Sequence, residues 1–377
     1  MNFSALNTES ALYIWVVLAL LVLLSMWAGH QSWGRKAGST IIVIILGFIL
    51  GNVGLLPSTS DTYSIIWGQF VPLAIPLLLL QADIRKIIRE SGPTLVAFLI
   101  GGVGTVLGAL IAFFLITLPD RAADLTGIFA ATFIGGGMNF VAVSQSVGLT
   151  EPSLLLAATA ADNILTVIFL FVLAMLPAVA FFAKAYPLGN HENGGTESDT
   201  KPLPTLPEIL WAALAVAAAF ALVQAGQYAQ DLFDWGGTAI LITTALTVAL
   251  ATLAPKICRL MARSYDLGMI LMLVFFATLG ASANVEALIG TAPILLLFAF
   301  IVVGVHFVFI FGVGRFTKLT LPELIIGSNA CILGPPTAAG LAAAKGWNSL
   351  VTPGILVGIL GYAIGNFIGV GLARFLA

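Results

Sequence analysis

The sequence contains very little charge. Only 8% of its 377 residues are Asp, Glu, Lys or Arg, whereas about 25% is usual for soluble proteins. Hydrophobic residues make up 60% of the chain, and the mean hydropathy is +1.08. The net charge of −2 is too small to indicate a polyanionic partner, so we expect no binding to nucleic acid. The composition excludes a soluble globular protein and predicts an all-α polytopic protein embedded in a lipid bilayer.

Residues that support common chemistries are also scarce. The two cysteines, Cys258 and Cys331, match no metal-ligand spacing and imply no disulfide framework. The chain has no Gly-x-x-x-x-Gly-Lys-Ser/Thr motif, which argues against ATP-driven pumping. Neither an HExxH motif nor a Ser/His/Asp arrangement stands out. We therefore expect no enzyme activity and no cofactor, apart from a bound Na⁺ if the protein uses one.

Long apolar runs are what the sequence has instead. A single polar stretch, residues 183–206, links a first membrane repeat (1–182) to a second (207–377). Hydropathy predicts about twelve apolar segments, at residues 11–28, 38–56, 65–82, 93–117, 125–147, 152–177, 207–227, 236–254, 265–283, 292–314, 321–344 and 349–376.

The two halves of the chain resemble each other, with equivalent positions 196 to 200 residues apart. Residues 132–145 read TFIGGGMNFVAVSQ, and residues 331–344 read CILGPPTAAGLAAA. Both stretches carry residues that interrupt helices, namely Gly135, Gly136 and Gly137 in the first and Gly334, Pro335 and Pro336 in the second. Matched interruptions in the two halves of a membrane protein indicate the binding site of a secondary transporter, with discontinuous helices that cross.

Basic residues predict that the two repeats have opposite orientations in the membrane. In the first repeat they follow the first and third segments, at residues 35–36 and 85–89. In the second they follow the eighth and tenth segments, at 256–263 and 315–318. The basic residues thus follow odd-numbered segments in the first repeat and even-numbered segments in the second. Since cytoplasmic loops are enriched in Lys and Arg, this difference indicates inverted-topology repeats. Six crossings per repeat would leave the repeats parallel, so either one segment does not cross fully, with 207–227 the candidate, or hydropathy misses a crossing.

Asp162 is the acidic residue that the sequence places near the middle of the membrane. Its segment starts near Pro152, so at 1.5 Å per residue Asp162 lies about 15 Å along the helix. A carboxylate there could bind Na⁺ or exchange a proton, with Asn139, Asn163 and Thr337 completing the site. The alternative is a protonated or hydrogen-bonded Asp that joins two helices.

Other polar residues within the apolar segments are weaker candidates. Gln81 ends the third segment, and Asn329 precedes the second interruption. Asn366 is a candidate counterpart of Asn163 in the second repeat, although the glycines around it also suit close helix packing. His306 could titrate near neutral pH, but a lone buried histidine is more often structural.

Three stretches carry a resemblance to a known family. FVPLAIPLLLLQADIRKIIRESGP, FIGGGMNFVAV and AATAADN are similar to the membrane family called domain of unknown function 819. That family is grouped with the cation–proton antiporter and anion transporter superfamily. The resemblance implies a core domain with two crossing broken helices and a panel or dimerisation domain. In the antiporters an acidic pair follows the crossover helix, and Asp162-Asn163 is similar in position but reversed in order.

The sequence thus predicts a secondary active transporter with an elevator-type mechanism. We expect symport of a small anionic organic solute with Na⁺ or H⁺, by a protein that forms a homodimer in the bacterial cytoplasmic membrane. One alternative is a monovalent cation/proton antiporter. An alternative of another class is a non-transporting membrane receptor or assembly factor.

Overall fold

The protein is all-helical throughout the part that the structure describes. This computed structural model describes residues 10–31, 39–118, 121–189, 191, 206–233, 238–282 and 285–377, with the backbone alone at 285–291. Within these ranges, eight helices are long and apolar enough to cross a membrane, and four apolar helices are shorter. The prediction of an all-α integral membrane protein is therefore confirmed.

Sixteen α-helices can be numbered along the described ranges. They are α1 (Ala11–His30), α2 (Ser39–Asn52), α3 (Asp61–Leu79), α4 (Ile84–Leu115), α5 (Ala122–Gly135), α6 (Gly137–Ser146), α7 (Pro152–Met175), α8 (Ala180–Ala185), α9 (Leu206–Phe233), α10 (Ala239–Leu253), α11 (Pro255–Leu260), α12 (Ser264–Ala281), α13 (Val285–Gly314), α14 (Leu321–Ile332), α15 (Pro335–Ala344) and α16 (Val351–Leu376). Helix α3 contains one π-helical turn, Ile66–Phe70. Most of the predicted linker, residues 192–205, lies outside the described residues.

Both predicted interruptions separate two helices. Gly136 lies between α5 and α6 with φ of 95°, and Gly334 lies just before α15 with φ of 93°. Side chains strongly disfavour this region of φ, which explains why glycine occupies both positions. Pro335 and Pro336 then start α15, where their missing N–H groups cost no intrahelical hydrogen bond.

Helices α5 and α6 fold back on each other as a hairpin, which we call hairpin 1. Arg121, just before α5, donates a 2.8 Å hydrogen bond from Nη2 to the carbonyl of Val147, just after α6. A continuous helix would separate these residues by about 39 Å. The segment predicted at 125–147 is therefore not one straight span but two arms whose outer ends meet.

Helices α14 and α15 form the corresponding hairpin 2. His191 lies 3.0 Å (Nε2) from the Thr320 hydroxyl and 3.3 Å (Nδ1) from the Ser349 hydroxyl. Thr320 precedes α14 and Ser349 follows α15, so the outer ends of these arms also meet. By contrast α9, which covers the proposed incomplete segment 207–227, is an apolar helix of 28 residues. The hairpins, rather than α9, are the elements that return to their starting side.

The helices divide into two bundles. The core bundle contains α4–α7 and α13–α16, and the panel bundle contains α1–α3, α9, α10 and α12. Packing within each bundle is extensive, whereas contact between the bundles is sparse. The two predicted repeats are therefore not separate units, because each contributes helices to both bundles.

Helices at matching positions of the two repeats run antiparallel. In the core bundle Gly101 of α4 lies against His306 of α13, and Gly108, further along α4, lies against the earlier residue Val302. In the panel bundle, the Ser264 hydroxyl at the start of α12 donates to the carbonyl of Leu77 near the end of α3.

Small residues allow α5 and α16 to pack closely. They recur every four residues on both helices: Gly127, Ala131 and Gly135 on α5, and Gly361, Gly365 and Gly369 on α16. A Cβ atom at Gly361 would lie only 2.4 Å from the carbonyl oxygen of Ile134. Stripes of small residues let helix backbones approach in this way inside membranes.

His306 occupies a structural position in the core bundle. Its Nδ1 is 2.9 Å from both the Gly101 carbonyl and the Thr105 hydroxyl, and its Nε2 is 2.9 Å from the Ser328 hydroxyl. The ring is fully buried and joins α13 to α4 and α14.

We predict that Gly361→Val destabilises the protein through the α5–α16 contact. The added atoms would overlap the backbone of hairpin 1, and overpacking of this kind costs about 1–3 kcal/mol. Gly371→Val on the same helix is the matched control, because a Cβ there meets nothing within 4 Å. Thermal unfolding of the two purified variants should show a lower midpoint for Gly361→Val alone; equal midpoints would contradict the described packing.

Candidate functional site

The tips of the two hairpins touch each other. A Cβ atom at Gly136 would lie 3.0 Å from the Leu333 carbonyl oxygen, and one at Gly334 would lie 3.1 Å from the Gly135 carbonyl oxygen. Helices α6 and α15 begin at this junction, which therefore holds both of their N-termini. Because helix N-termini carry partial positive charge, the junction favours a nearby anionic group.

A cavity of about 260 Å³ lies beside this junction, between the two bundles. We call it the Asp162 cavity. The core bundle contributes Gly137, Met138, Asp162, Asn163, Thr166, Val167, Leu170, Ile332, Leu333, Pro336, Thr337 and Tyr362, and the panel bundle contributes Thr40, Ile41, Tyr265, Met269 and Phe276. Five of the residues predicted from the sequence thus meet here: Gly137, Asp162, Asn163, Pro336 and Thr337.

Asp162 is the acidic residue among those that line this cavity. The residue is only 6% exposed, and its buried Oδ1 has no hydrogen-bond partner in the described part of the chain. The lining contains no Lys or Arg among the described residues, so no cation of the protein neutralises the carboxylate there. Asn163, Thr166 and Thr337, which carry amide and hydroxyl oxygens, line the same cavity. Oxygen ligands of these kinds, together with a carboxylate, suit Na⁺, and the carboxylate alone can take a proton.

Two tyrosines of the site were missed by sequence reasoning. Tyr362 follows Asn163 by 199 positions, which is within the spacing of the repeats, whereas the predicted counterpart Asn366 follows by 203. The spacing alone could therefore have identified Tyr362. Its ring lies beside Gly334, and its hydroxyl interacts with that of Tyr265 from the panel bundle.

Asn139 lies outside the cavity lining. Its Nδ2 donates to the carbonyls of Gly361 at 2.8 Å and Ala131 at 3.2 Å, and the residue is 1% exposed. These bonds tie both arms of hairpin 1 to α16. The geometry therefore gives Asn139 a structural position, in contrast to the ion-ligand position expected from its place after the glycines.

Asn329 and Asn366 are also buried away from the Asp162 cavity. Asn366 Nδ2 is 3.5 Å from the Thr244 hydroxyl, which places it at the contact of α16 with α10. Asn329 is fully buried, and both polar atoms of its side chain lack a partner among the described residues. Neither residue joins the candidate ion site.

Gln81 belongs to a second and larger cavity, of about 480 Å³, which we call the Gln81 cavity. Its lining consists of Leu80, Gln81, Asp83, Ala251, Pro255, Cys258, Arg259 and Tyr265, together with Lys86, Pro335, Pro336, Ala339, Thr352, Ile355, Leu356 and Ile359 from the core bundle. Tyr265 and Pro336 line both cavities and so form part of the wall between them. Gln81 Nε2 donates to the carbonyl of Cys258, which holds its amide at the cavity wall.

Comparison with known proteins agrees with the resemblance found in the sequence. Residues 15–377 match the family described as "Protein of unknown function (DUF819)". The chain is also 33% identical over 387 aligned positions to the "Uncharacterized membrane protein YjcL" of Bacillus subtilis (strain 168), an alignment that covers 97% of each protein. The chain therefore belongs to the DUF819 family of membrane proteins.

Proposed function

We propose that this protein is a secondary transporter that couples the movement of Na⁺ or H⁺ to that of a small organic anion. One observation carries the proposal: the buried carboxylate of Asp162, with no cationic partner among the described residues of its cavity, lines the cavity beside the contact of two interrupted helices. Charged groups within membrane spans are costly and commonly mark ion pathways. Interrupted helices, one from each repeat, that meet near the middle of the membrane are typical of ion-coupled carriers.

We infer that the two repeats are inverted in the membrane. If each hairpin returns to its own face, each repeat makes five crossings, by α1–α4 and α7 in the first and by α9, α10, α12, α13 and α16 in the second. An odd number of crossings reverses the second repeat, and the antiparallel pairs α4–α13 and α3–α12 support this arrangement. The predicted basic loops at 85–89, 256–263 and 315–318 then lie on one face, which the positive-inside rule assigns to the cytoplasm. The fourth predicted basic loop, at 35–36, lies outside the described residues.

An elevator-type movement of the core bundle against the panel bundle fits the sparse contact between them. At the face opposite the basic loops the bundles are joined: Gln145 Nε2 of α6 donates to the Trp67 carbonyl in the π-helical turn of α3. At the other face the Gln81 cavity reaches the charged loops through Asp83, Lys86 and Arg259. We infer an inward-facing conformation.

The charge on Asp162 provides a physical basis for coupling. An unpaired carboxylate is costly to move through the apolar interior of the bilayer, whereas a carboxylate that has bound Na⁺ or a proton is neutral. Ion binding therefore lowers the cost of moving the core bundle. A symporter must also return empty, and the helix N-termini of the junction, which belong to the same core bundle as Asp162, stabilise the charged carboxylate during that return.

The alternatives differ in what else they need. A cation/proton antiporter would use Asp162 in the same way but would need no cavity for an organic solute. The volume of the Gln81 cavity therefore favours symport. A non-transporting receptor or assembly factor needs no ion site at the junction of the hairpins. The homodimer, the bacterial cytoplasmic membrane and the absence of enzyme activity stay predictions.

We predict that Asp162→Asn abolishes ion-coupled uptake while the protein stays folded and inserted. The amide keeps the shape of the side chain but can neither bind a proton nor balance the charge of Na⁺. The assay is the quenching of a pH-sensitive dye and the flux of ²²Na⁺ in vesicles that contain the purified protein.

Asp61→Asn is the matched control for this experiment, because Asp61 is an exposed carboxylate that lines neither the Asp162 cavity nor the Gln81 cavity. It should transport like the unsubstituted protein. Normal ion flux in Asp162→Asn would refute the proposed ion site. Absence of any flux with the unsubstituted protein, across Na⁺, K⁺ and H⁺ gradients, would favour the receptor class.

We predict that the two hairpins open to opposite faces of the membrane. Glu151 follows hairpin 1 and Lys345 follows hairpin 2, and both residues are exposed. A membrane-impermeant maleimide should label Glu151→Cys in intact cells but label Lys345→Cys only after permeabilisation. The native Cys258 and Cys331 are buried and should contribute little background. Labelling of both variants from the same face would exclude inverted repeats.

A further inference from the structure

We propose that the Gln81 cavity binds the transported solute through an anionic group, held at the mouth of the cavity by Arg259 and Lys86. That the ligand is a transported solute rests on the proposed function, whereas the preference of the cavity for an anion does not. Solute and ion then have separate sites: the solute binds on one side of the wall made by Tyr265 and Pro336, and the ion binds on the other.

The charges at the mouth of the cavity favour an anion. Two cationic side chains, Lys86 and Arg259, and one carboxylate, Asp83, line the cavity. The Asp83 carboxylate is already engaged, because its Oδ1 accepts the backbone N–H groups of Arg85 at 3.0 Å and Lys86 at 3.3 Å as the N-cap of α4. The acidic neighbour of the Lys86 ammonium, Glu90 at 3.9 Å, is not part of the lining. Carboxylates and phosphates are the natural ligands of such a guanidinium–ammonium pair.

The interior of the cavity favours an organic body attached to that charge. One wall is apolar and comes from α16, through Ile355, Leu356 and Ile359. Gln81 and Tyr265 add polar groups to the lining. A volume of about 480 Å³ lies within the usual range for small-molecule sites. The chemistry therefore points to an amphipathic organic anion, with its charge outermost and its apolar part against α16.

The position of the cavity links solute binding to ion binding. Pro336, at the start of the second arm of hairpin 2, lines both cavities, and Thr337 of the ion site is the next residue. A solute against Pro335 and Pro336 would press on the helix that also carries Thr337. Each ligand would thus favour the same arrangement of α15, which is the requirement for two ligands that bind cooperatively.

Charge selectivity of the cavity can be measured without knowing the solute. Ala339 of α15 lines the cavity, whereas its neighbour Gly340 does not. A Cβ atom added at Gly340 would meet nothing within 4 Å. Ala339→Cys therefore reports on the cavity, and Gly340→Cys is the matched control. The probes are two methanethiosulfonates, the anionic 2-sulfonatoethyl and the cationic 2-(trimethylammonio)ethyl reagent. In each case the thiolate attacks sulfur to form a mixed disulfide, and methanesulfinate leaves.

The ratio of the anionic to the cationic reaction rate should be higher for Ala339→Cys than for Gly340→Cys in detergent-purified full-length protein at low salt. Removing one positive charge from the Ala339→Cys variant, by Arg259→Gln or Lys86→Gln, should lower its rate with the anionic reagent and raise its rate with the cationic reagent. Each change should be roughly threefold, as expected for one charge about 7 Å away in water. Arg259→Lys keeps the charge and should keep the preference. Burial and the nearby Asp83 carboxylate raise the pKa of the Cys258 thiol, so its own reaction should be slow at neutral pH.

Equal rate ratios for the two cysteine variants, or a ratio that does not respond to Arg259→Gln and Lys86→Gln, would overturn the proposed anion site. Unsubstituted protein gives the background rate to subtract. This experiment can fail while Asp162→Asn still abolishes ion flux, in which case the transporter stands and its solute binds elsewhere. It can also succeed without ion flux, which would leave an anion-binding membrane protein that is not an ion-coupled carrier.

Discussion

The structure depends on how two broken helices satisfy their backbone inside an apolar protein. An N–H or carbonyl without a partner in lipid costs several kcal/mol, so an interrupted helix is stable only when protein or a cavity surrounds the interruption. Here each interruption is covered by the other: the tip of hairpin 1 lies against the tip of hairpin 2, and α16 closes over both. The glycines at these positions serve two needs, since Gly136 and Gly334 adopt positive φ and Gly361 leaves room for the approach.

The same constraint produces the hairpin junction and the cavities beside it. Two helices, α6 and α15, must start at the junction, and their N-termini bring partial positive charge to the interior of the bundle. Asp162 then brings the opposite charge to that place from α7. Because the panel bundle covers the junction only loosely, cavities remain on both sides of Tyr265 and Pro336. The backbone breaks and the two cavities beside them are thus consequences of a single arrangement.

Sequence reasoning succeeded for features that depend on local residue types. The apolar runs predicted the helices, and the glycine and proline clusters predicted where two of them are interrupted. It also identified Asp162, Asn163 and Thr337, which the fold brings to one cavity. It placed Asn139 at the ion site, whereas the side chain donates to the carbonyls of Ala131 and Gly361. The residue type beside a helix break does not show whether a side chain faces a cavity or bonds to neighbouring helices. Sequence reasoning chose Asn366 over Tyr362 because residue type was given more weight than the spacing of the repeats.

By itself the sequence determined that this is an all-α membrane protein and where two of its helices are interrupted, since hydropathy and backbone freedom are properties of single residues. Only the tertiary structure decided that the segments around 125–147 and 321–344 return on themselves. A hairpin and a straight broken span have the same composition, and they differ only in whether distant residues such as Arg121 and Val147 meet. The tertiary structure likewise decided which polar residues share a cavity. Contacts between residues some two hundred positions apart depend on packing, which no local pattern records.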